Sequence, residues 1–182
     1  FIMNSPREQA SPYQSPWSFG RRLKMVAWQF CWFILCRWTP KPFNPWRLFV
    51  LRLFGASIKG LPFVHQGAKI LAPWNVTLNH RACLGDGATA YSLGKIILAE
   101  GCTVAQEAYL CAGTHDFNDP SLALVVGEIK VGANAFLGAR VFVLPSVSIG
   151  EDSIVGACSV VTKDVGVKTV VAGNPAQWIR DR

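Results

Sequence analysis

Residues 131–165 read VGANAFLGARVFVLPSVSIGEDSIVGACSVVTKDV, and a single periodicity organises them. Aliphatic side chains stand at Val131, Leu137, Val143, Ile149, Val155 and Val161, a spacing of six kept through the whole stretch. Gly132, Gly138, Gly150 and Gly156 directly follow four of them, and small or β-branched residues recur four places on, at Ala135, Val141, Val147, Ser153, Ser159 and Val165. On an α-helix a step of six turns the chain by about 600°, which scatters the marked positions over three faces. No helix could bury them together. On extended chain, residues six apart point the same way, and a short turn in every repeat keeps the aliphatic side chains directed inward. Straight segments joined by such turns build a solenoid in which equivalent side chains stack into continuous core ladders. We therefore expect an all-β chain dominated by a parallel β-helix, its glycines permitting turn conformations that a Cβ would penalise. An ordinary β-sandwich would reach this pattern only by coincidence at all six positions.

Upstream, the same phase returns at Leu78–Ala82 and Leu84–Ala88, then at Leu98, Val104 and Leu110, with Cys102 and Ala108 four places after the first two. Between Leu110 and Val131 it fails. Insertions in a solenoid leave as loops on one face, often the binding face, so residues 111–130 are expected to protrude. That loop carries His115, one of only three histidines, among Thr114, Asp116, Asn118 and Asp119, which could orient an imidazole. Histidine is the side chain best suited to accept a proton near neutral pH, although a lone surface histidine is usually inert.

Composition sets the remaining bounds. A chain of 182 residues that is 51% hydrophobic and 16% charged is one domain with one packed core, and too apolar to be disordered. Its net charge of +7 is unevenly placed: residues 1–60 hold nine basic residues against Glu8 alone, and residues 61–182 hold nine against ten. The first third also carries five of the seven Trp and seven of the eleven Phe. We read 1–60 as a basic aromatic segment and 61–182 as the β-helix domain. Residues 4–16 look like a flexible lead. Trp17 to Trp38 read as a helix apolar on nearly every face, which must bury itself. It either lies at the headgroup boundary of an anionic membrane as a peripheral contact, or caps the open edge of the first coil or packs on a neighbouring subunit. Nucleic acid is disfavoured, because the basic residues sit with bulky apolar ones rather than along a polar groove. The apolar run Val26–Cys36 is eleven residues, interrupted by Gln29, against the roughly 20 that span a bilayer. No cleavage site of a secretory signal follows it. The six Cys form no C-x-x-C pair and are read as reduced and buried, hence a cytoplasmic protein.

The hexads, the segment Leu110-Cys111-Ala112-Gly113-Thr114-His115-Asp116, and the run Val160–Asp164 followed by Val171-Ala172-Gly173-Asn174-Pro175-Ala176 resemble the hexapeptide-repeat acyltransferases. Trp38–Pro42, Asn44–Arg47, Leu51–Ala56 and Pro73–Asn75 are similar to the branch that acetylates sugars in colanic acid and related exopolysaccharide synthesis. The resemblance implies a left-handed parallel β-helix, triangular in section, assembled as a homotrimer with active sites between subunits. It implies acetyl-CoA as co-substrate and direct O-acetyl transfer to a sugar hydroxyl of an exopolysaccharide or lipid-linked glycan precursor, with His115 as general base and Asp116 beside it. Phe136, Ala139, Ala157, Thr162, Lys163 and Arg180 fall where the family contacts coenzyme A; simple coil packing would equally account for the alanines. Where many relatives carry an acceptor-binding Asn, this chain has Tyr91-Ser92-Leu93, which makes Ser92 a candidate sugar contact. His80 and Arg81 are either acceptor contacts or a solvated turn, and His65 is structural or exposed. Two rival functions stand beside this one: a non-catalytic trimeric scaffold, and a carbonic-anhydrase-like metalloenzyme. The second needs three His ligands, two of them close in sequence, whereas His65, His80 and His115 lie far apart, so no metal is expected.

Overall fold

The computed structural model describes residues 18–182; the expected flexible lead and Trp17 lie outside the described residues. Helix α1 (Phe19–Leu35) and helix α2 (Asn44–Leu53) precede a parallel β-solenoid of about six turns. Its strands form three parallel faces. The first face stacks Ser57–Ile58, Val76–Leu78, Ile96–Leu98, Ile129–Val131 and Ser148–Ile149. The second stacks Phe63–Val64, Cys83–Leu84, Thr103–Val104, Phe136–Leu137, Ile154–Val155 and Thr169–Gly173, with Ala176–Asp181 added antiparallel at its edge. The third stacks Lys69–Ile70, Thr89–Tyr91, Tyr109–Cys111, Phe142–Val143 and Val160–Val161.

Three six-residue sides close one turn, so Lys130 pairs with Ser148, Phe136 with Ile154 and Phe142 with Val160, each 18 residues on. Val131, Leu137 and Val143 thus enter three different ladders, and Ile149, Val155 and Val161 stack on them one coil later, all at 2% exposure or less. Burying an aliphatic side chain of this size contributes about 1.5–3 kcal/mol, and the ladders repeat that gain coil after coil. The first coils are 20 residues long, as Ser57 with Thr77 and Thr77 with Ile97 record, which is why the sequence period blurs there. Serines at the corners are buried with their hydroxyls satisfied locally: Ser153 Oγ donates to Gly150 O and Ser159 Oγ to Gly156 O, both at 2.7 Å.

The glycines act differently from the expectation. Left-handed backbone falls on Asn134, Arg140, Ser146, Asp152 and Cys158, six apart and two places after the glycine position. Gly132, Gly138 and Gly150 are instead where the next coil passes closest. A Cβ on Gly138 would stand 2.6 Å from Ala157 N, one on Gly132 2.6 Å from Glu151 N, and one on Gly150 2.5 Å from Val167 N. Close stacking of coils, rather than turn freedom, requires glycine there.

A solenoid exposes the backbone of its first coil, and unpaired strand edges need cover. Here α2 and α1 supply it with side chains. Asn44 Oδ1 accepts from Val64 N–H at 3.0 Å, Arg47 Nε donates to Val64 O at 2.8 Å, and Trp28 Nε1 donates to Ile70 O at 2.6 Å. Arg47 is wholly buried with no carboxylate partner among the described residues; its guanidinium also donates to Thr39 Oγ1 at 2.9 Å and Pro40 O at 3.0 Å. Desolvation lowers its pKa. Trp28 and Trp32, one turn apart on α1, join the same buried cluster as Ile70, Leu110 and Val171, so helices and solenoid share one core.

All six cysteines are free. Cys36 and Cys102 are buried, and desolvation pushes their thiols up to about 11 and about 12. Cys158, at a left-handed turn, is exposed, and Cys31, Cys83 and Cys111 are half-buried, so the expectation of uniform burial is corrected. Among the described residues no helix is long and apolar enough to cross a membrane.

Candidate active site

The break in the six-residue period is a β-hairpin. Gly113–His115 pairs antiparallel with Leu124–Val126, and its root is tied to the coils by Ala112 N donating to Tyr91 O and Gly127 N to Ala112 O, both at 3.1 Å. Its tip is held by short-range turns: Asp116 Oδ1 accepts from Asn118 N at 2.8 Å, and Asp119 Oδ1 accepts from both the amide and the hydroxyl of Ser121 at 2.8 Å. Those two Ser121 hydrogen bonds hold the Asp119 carboxyl below its ordinary range.

His115 is exposed at the end of the first hairpin strand. Its Nδ1 lies 2.6 Å from the carbonyl oxygen of Leu122, which has a left-handed φ of 51°. A carbonyl can only accept, so this contact assigns the proton to Nδ1 and leaves the Nε2 lone pair free. The geometry is that of an oriented imidazole base, with a backbone carbonyl in the orienting role. Asp116, expected to assist, spends Oδ1 on the turn at Asn118 instead.

Ser92 is corrected as a sugar contact. It is fully buried, and its hydroxyl accepts from Ala72 N and spends its proton on Ala72 O, both at 2.9 Å, so it is held inside the coils. Strand alternation presents its neighbour Tyr91 on the outside of the third face. Sequence reasoning missed what Tyr91 joins there. Its ring lies 5.9 Å from that of Tyr109, which stacks on Phe142 at 5.0 Å and 5° between planes. These three aromatics cross three neighbouring strands of the third face, Tyr109 beside Phe142 and Tyr91 diagonal to Tyr109, because Tyr91 pairs with Cys111, at the foot of the hairpin. Recurrence of aromatics at equal depth on successive coils was the signal available, at 109 and 142 in the same register. Burial raises the Tyr109 pKa, so the phenol stays neutral.

The residues expected at coenzyme A divide between two places. Phe136, Ile154, Val170 and Arg180 follow one another across the second face, with Ala139 and Ala157 at its next corner, where Cys158 N donates to Ala139 O at 2.9 Å. Thr162 and Lys163 follow the last strand of the third face; Lys163 lines a cavity of about 230 Å³ with Thr169, Gln177 and Trp178. Phe136, Lys163 and Arg180 are exposed. His80 Nδ1 accepts from Leu61 N at 3.3 Å, and His65 Nδ1 lies 2.9 Å from Asp86 Oδ1, so both belong to the first coils rather than to the hairpin.

Residues 128–163 match the family model described as bacterial transferase hexapeptide (six repeats). The chain is 36% identical over 163 residues to the colanic acid biosynthesis acetyltransferase WcaF of Escherichia coli, covering 90% of each chain. The chain belongs to the hexapeptide-repeat acetyltransferases. Among solved structures of similar fold are a maltose O-acetyltransferase from Clostridium difficile 630 (TM-score 0.79, 22% identity, 90% of this chain and 89% of that one) and a galactoside acetyltransferase in complex with coenzyme A (TM-score 0.77, 20% identity, 92% and 84%). Within a hexapeptide-repeat acetyltransferase fold the coils stack, and the hairpin carries an exposed imidazole whose Nδ1 faces a carbonyl, whereas the exposed His80 accepts a backbone N–H at the same atom.

Proposed function

We propose that this acetyltransferase moves the acetyl group of acetyl-CoA to a sugar hydroxyl, with His115 as general base. The observation that carries the reading is the Nδ1 contact to Leu122 O, which leaves Nε2 free, in a chain similar to a colanic acid biosynthesis acetyltransferase and, in fold, to a maltose O-acetyltransferase and a galactoside acetyltransferase. Nε2 takes the proton of the acceptor hydroxyl as its oxygen attacks the thioester carbonyl; the tetrahedral intermediate collapses, and the leaving thiolate recovers the proton from the imidazolium. A positioned base of this kind contributes about 10²–10⁴-fold. Lys163 and Arg180 supply cations for the phosphates of coenzyme A. Tyr91, Tyr109 and Phe142 offer an apolar aromatic surface against which a sugar ring packs. We assign the acceptor to an exopolysaccharide or lipid-linked glycan precursor, and the enzyme to the cytoplasm, where six free thiols persist.

A homotrimer belongs to the same reading. The hairpin leaves Phe117 76% exposed, with Val125 and Val126 also in solvent, and a neighbouring subunit would cover that surface and complete a site between chains. Sedimentation at micromolar protein should give three copies; a fully active monomer would reject the shared site. Release of coenzyme A thiol is the direct test, measured with acetyl-CoA and a panel of sugars for the native enzyme and His115→Asn. Sugar-dependent release that the substitution abolishes is expected. Absence of sugar-dependent release from the native protein would leave a trimeric scaffold as the function.

A further inference from the structure

Helix α1 is apolar on two opposite faces. Trp28 and Trp32 point to the solenoid and are buried. Phe19, Leu23, Val26 and Phe30, at i, i+4, i+7 and i+11, form the other stripe and are 74%, 59%, 63% and 64% exposed. Phe33 and Ile34 continue it, and Trp38 extends it through an edge-on contact with Phe33 at 5.9 Å. Soluble proteins rarely leave a continuous apolar stripe of this length in water.

Its charge surroundings select the occupant. Residues 18–60 contain no Asp or Glu, while Arg21, Arg22, Lys24, Arg37, Lys41, Arg52 and Lys59 are all exposed. Stacking this face on the same face of a second copy would set like charges together with no carboxylate between them. A bilayer carrying anionic headgroups answers both features, taking the aromatic stripe into the acyl boundary and the cations into the headgroup layer. At 17 residues α1 is about 25 Å long, enough to lie in that layer and too short to cross it.

We propose that the outer face of α1 is a docking surface for anionic lipid bilayer, holding the acetyltransferase flat on a membrane through Phe19, Leu23, Val26, Phe30 and Phe33. The proposal is independent of the transfer reaction and of its acceptor.

The full chain is incubated with vesicles of phosphatidylcholine alone and of phosphatidylcholine mixed with phosphatidylglycerol, then co-sedimented. Binding to the mixed vesicles, reduced by added salt, is expected. The double variant Val26→Glu with Phe30→Glu should weaken it at least about tenfold, as should Arg22→Glu with Arg37→Glu, because insertion and charge act together. Both variants alter exposed positions, so coenzyme A release with a soluble sugar and the oligomeric state should stay as in the native enzyme. Failure of the native protein to bind mixed vesicles overturns the proposal. So does a Val26→Glu, Phe30→Glu variant that binds them unchanged, or one that loses its oligomer, which would make the stripe a contact between copies. Failure of the transfer reading shows separately, as absence of turnover in every variant.

Discussion

The imidazole Nδ1 of His115 and the carbonyl oxygen of Leu122 stand 2.6 Å apart across the hairpin turn. That contact fixes which ring nitrogen holds the proton, and it depends on a left-handed backbone at Leu122 rather than on any acidic side chain. His115→Asn preserves a donor for the carbonyl while removing the base. We expect kcat to fall at least about 10²-fold with the denaturation midpoint nearly unchanged. Near-native turnover in this variant would remove His115 from the mechanism.

Lys163 and Arg180 are predicted to act on the donor. Each charge-assisted contact to phosphate is worth about 1.5–3 kcal/mol when partly sheltered, so alanine at either position should raise KM for acetyl-CoA about tenfold or more and leave kcat largely intact. With acetyl-pantetheine, which lacks those phosphates, the variants should match the native enzyme. Equal losses with both donors would place the two residues in the fold instead.

Two substitutions separate stacking space from turn freedom. Gly138→Ala drives a Cβ to 2.6 Å from Ala157 N and should cost about 1–3 kcal/mol or more by urea unfolding. Cys158→Gly, at a φ of 59°, should be neutral or mildly stabilising, within about 1 kcal/mol. The reverse order of sensitivity would restore the turn as the reason for the hexad glycine.

Arg47 closes the first coil by donating to Val64 O, Thr39 Oγ1 and Pro40 O from a fully buried position. Arg47→Met removes the charge and orphans those acceptors, and we expect a loss of at least about 3 kcal/mol in unfolding free energy. Lysine, which lacks the planar fork, should rescue only part of it. A methionine variant as stable as the native protein would show that the helices hold the coil by apolar contact alone.

Hydrogen bonds from the amide and hydroxyl of Ser121 lower the Asp119 carboxyl pKa. A group whose folded value is depressed stabilises the tip above its unfolded pKa, and that support is lost as pH falls through the folded value. The Ser121 amide resonance should therefore move toward its unfolded position only below the ordinary carboxylate range. In Asp119→Ala the pH dependence should vanish; persistence would assign it to another group.

Legibility followed the range of the interactions. Val131, Leu137, Val143, Ile149, Val155 and Val161 announced the solenoid because a repeating fold buries its core at a fixed interval along the chain, so the fold is written locally. The interruption at residues 111–130 and its single histidine were visible for the same reason. What the interval left open was the third dimension. Whether Ser92 or Tyr91 faces outward turned on strand phase, a matter of one residue, and the buried hydroxyl on Ala72 settled it. The glycine contacts and the Tyr91–Tyr109–Phe142 stack lie between coils, where residues 17 to 33 apart in sequence meet. Likewise the sequence marked residues 17–38 as a helix apolar on nearly every face, and only packing decided that Trp28 and Trp32 turn inward while Phe19, Leu23, Val26 and Phe30 do not. An apolar residue states that burial is favourable; which surface buries it depends on neighbours that the chain brings together only when folded.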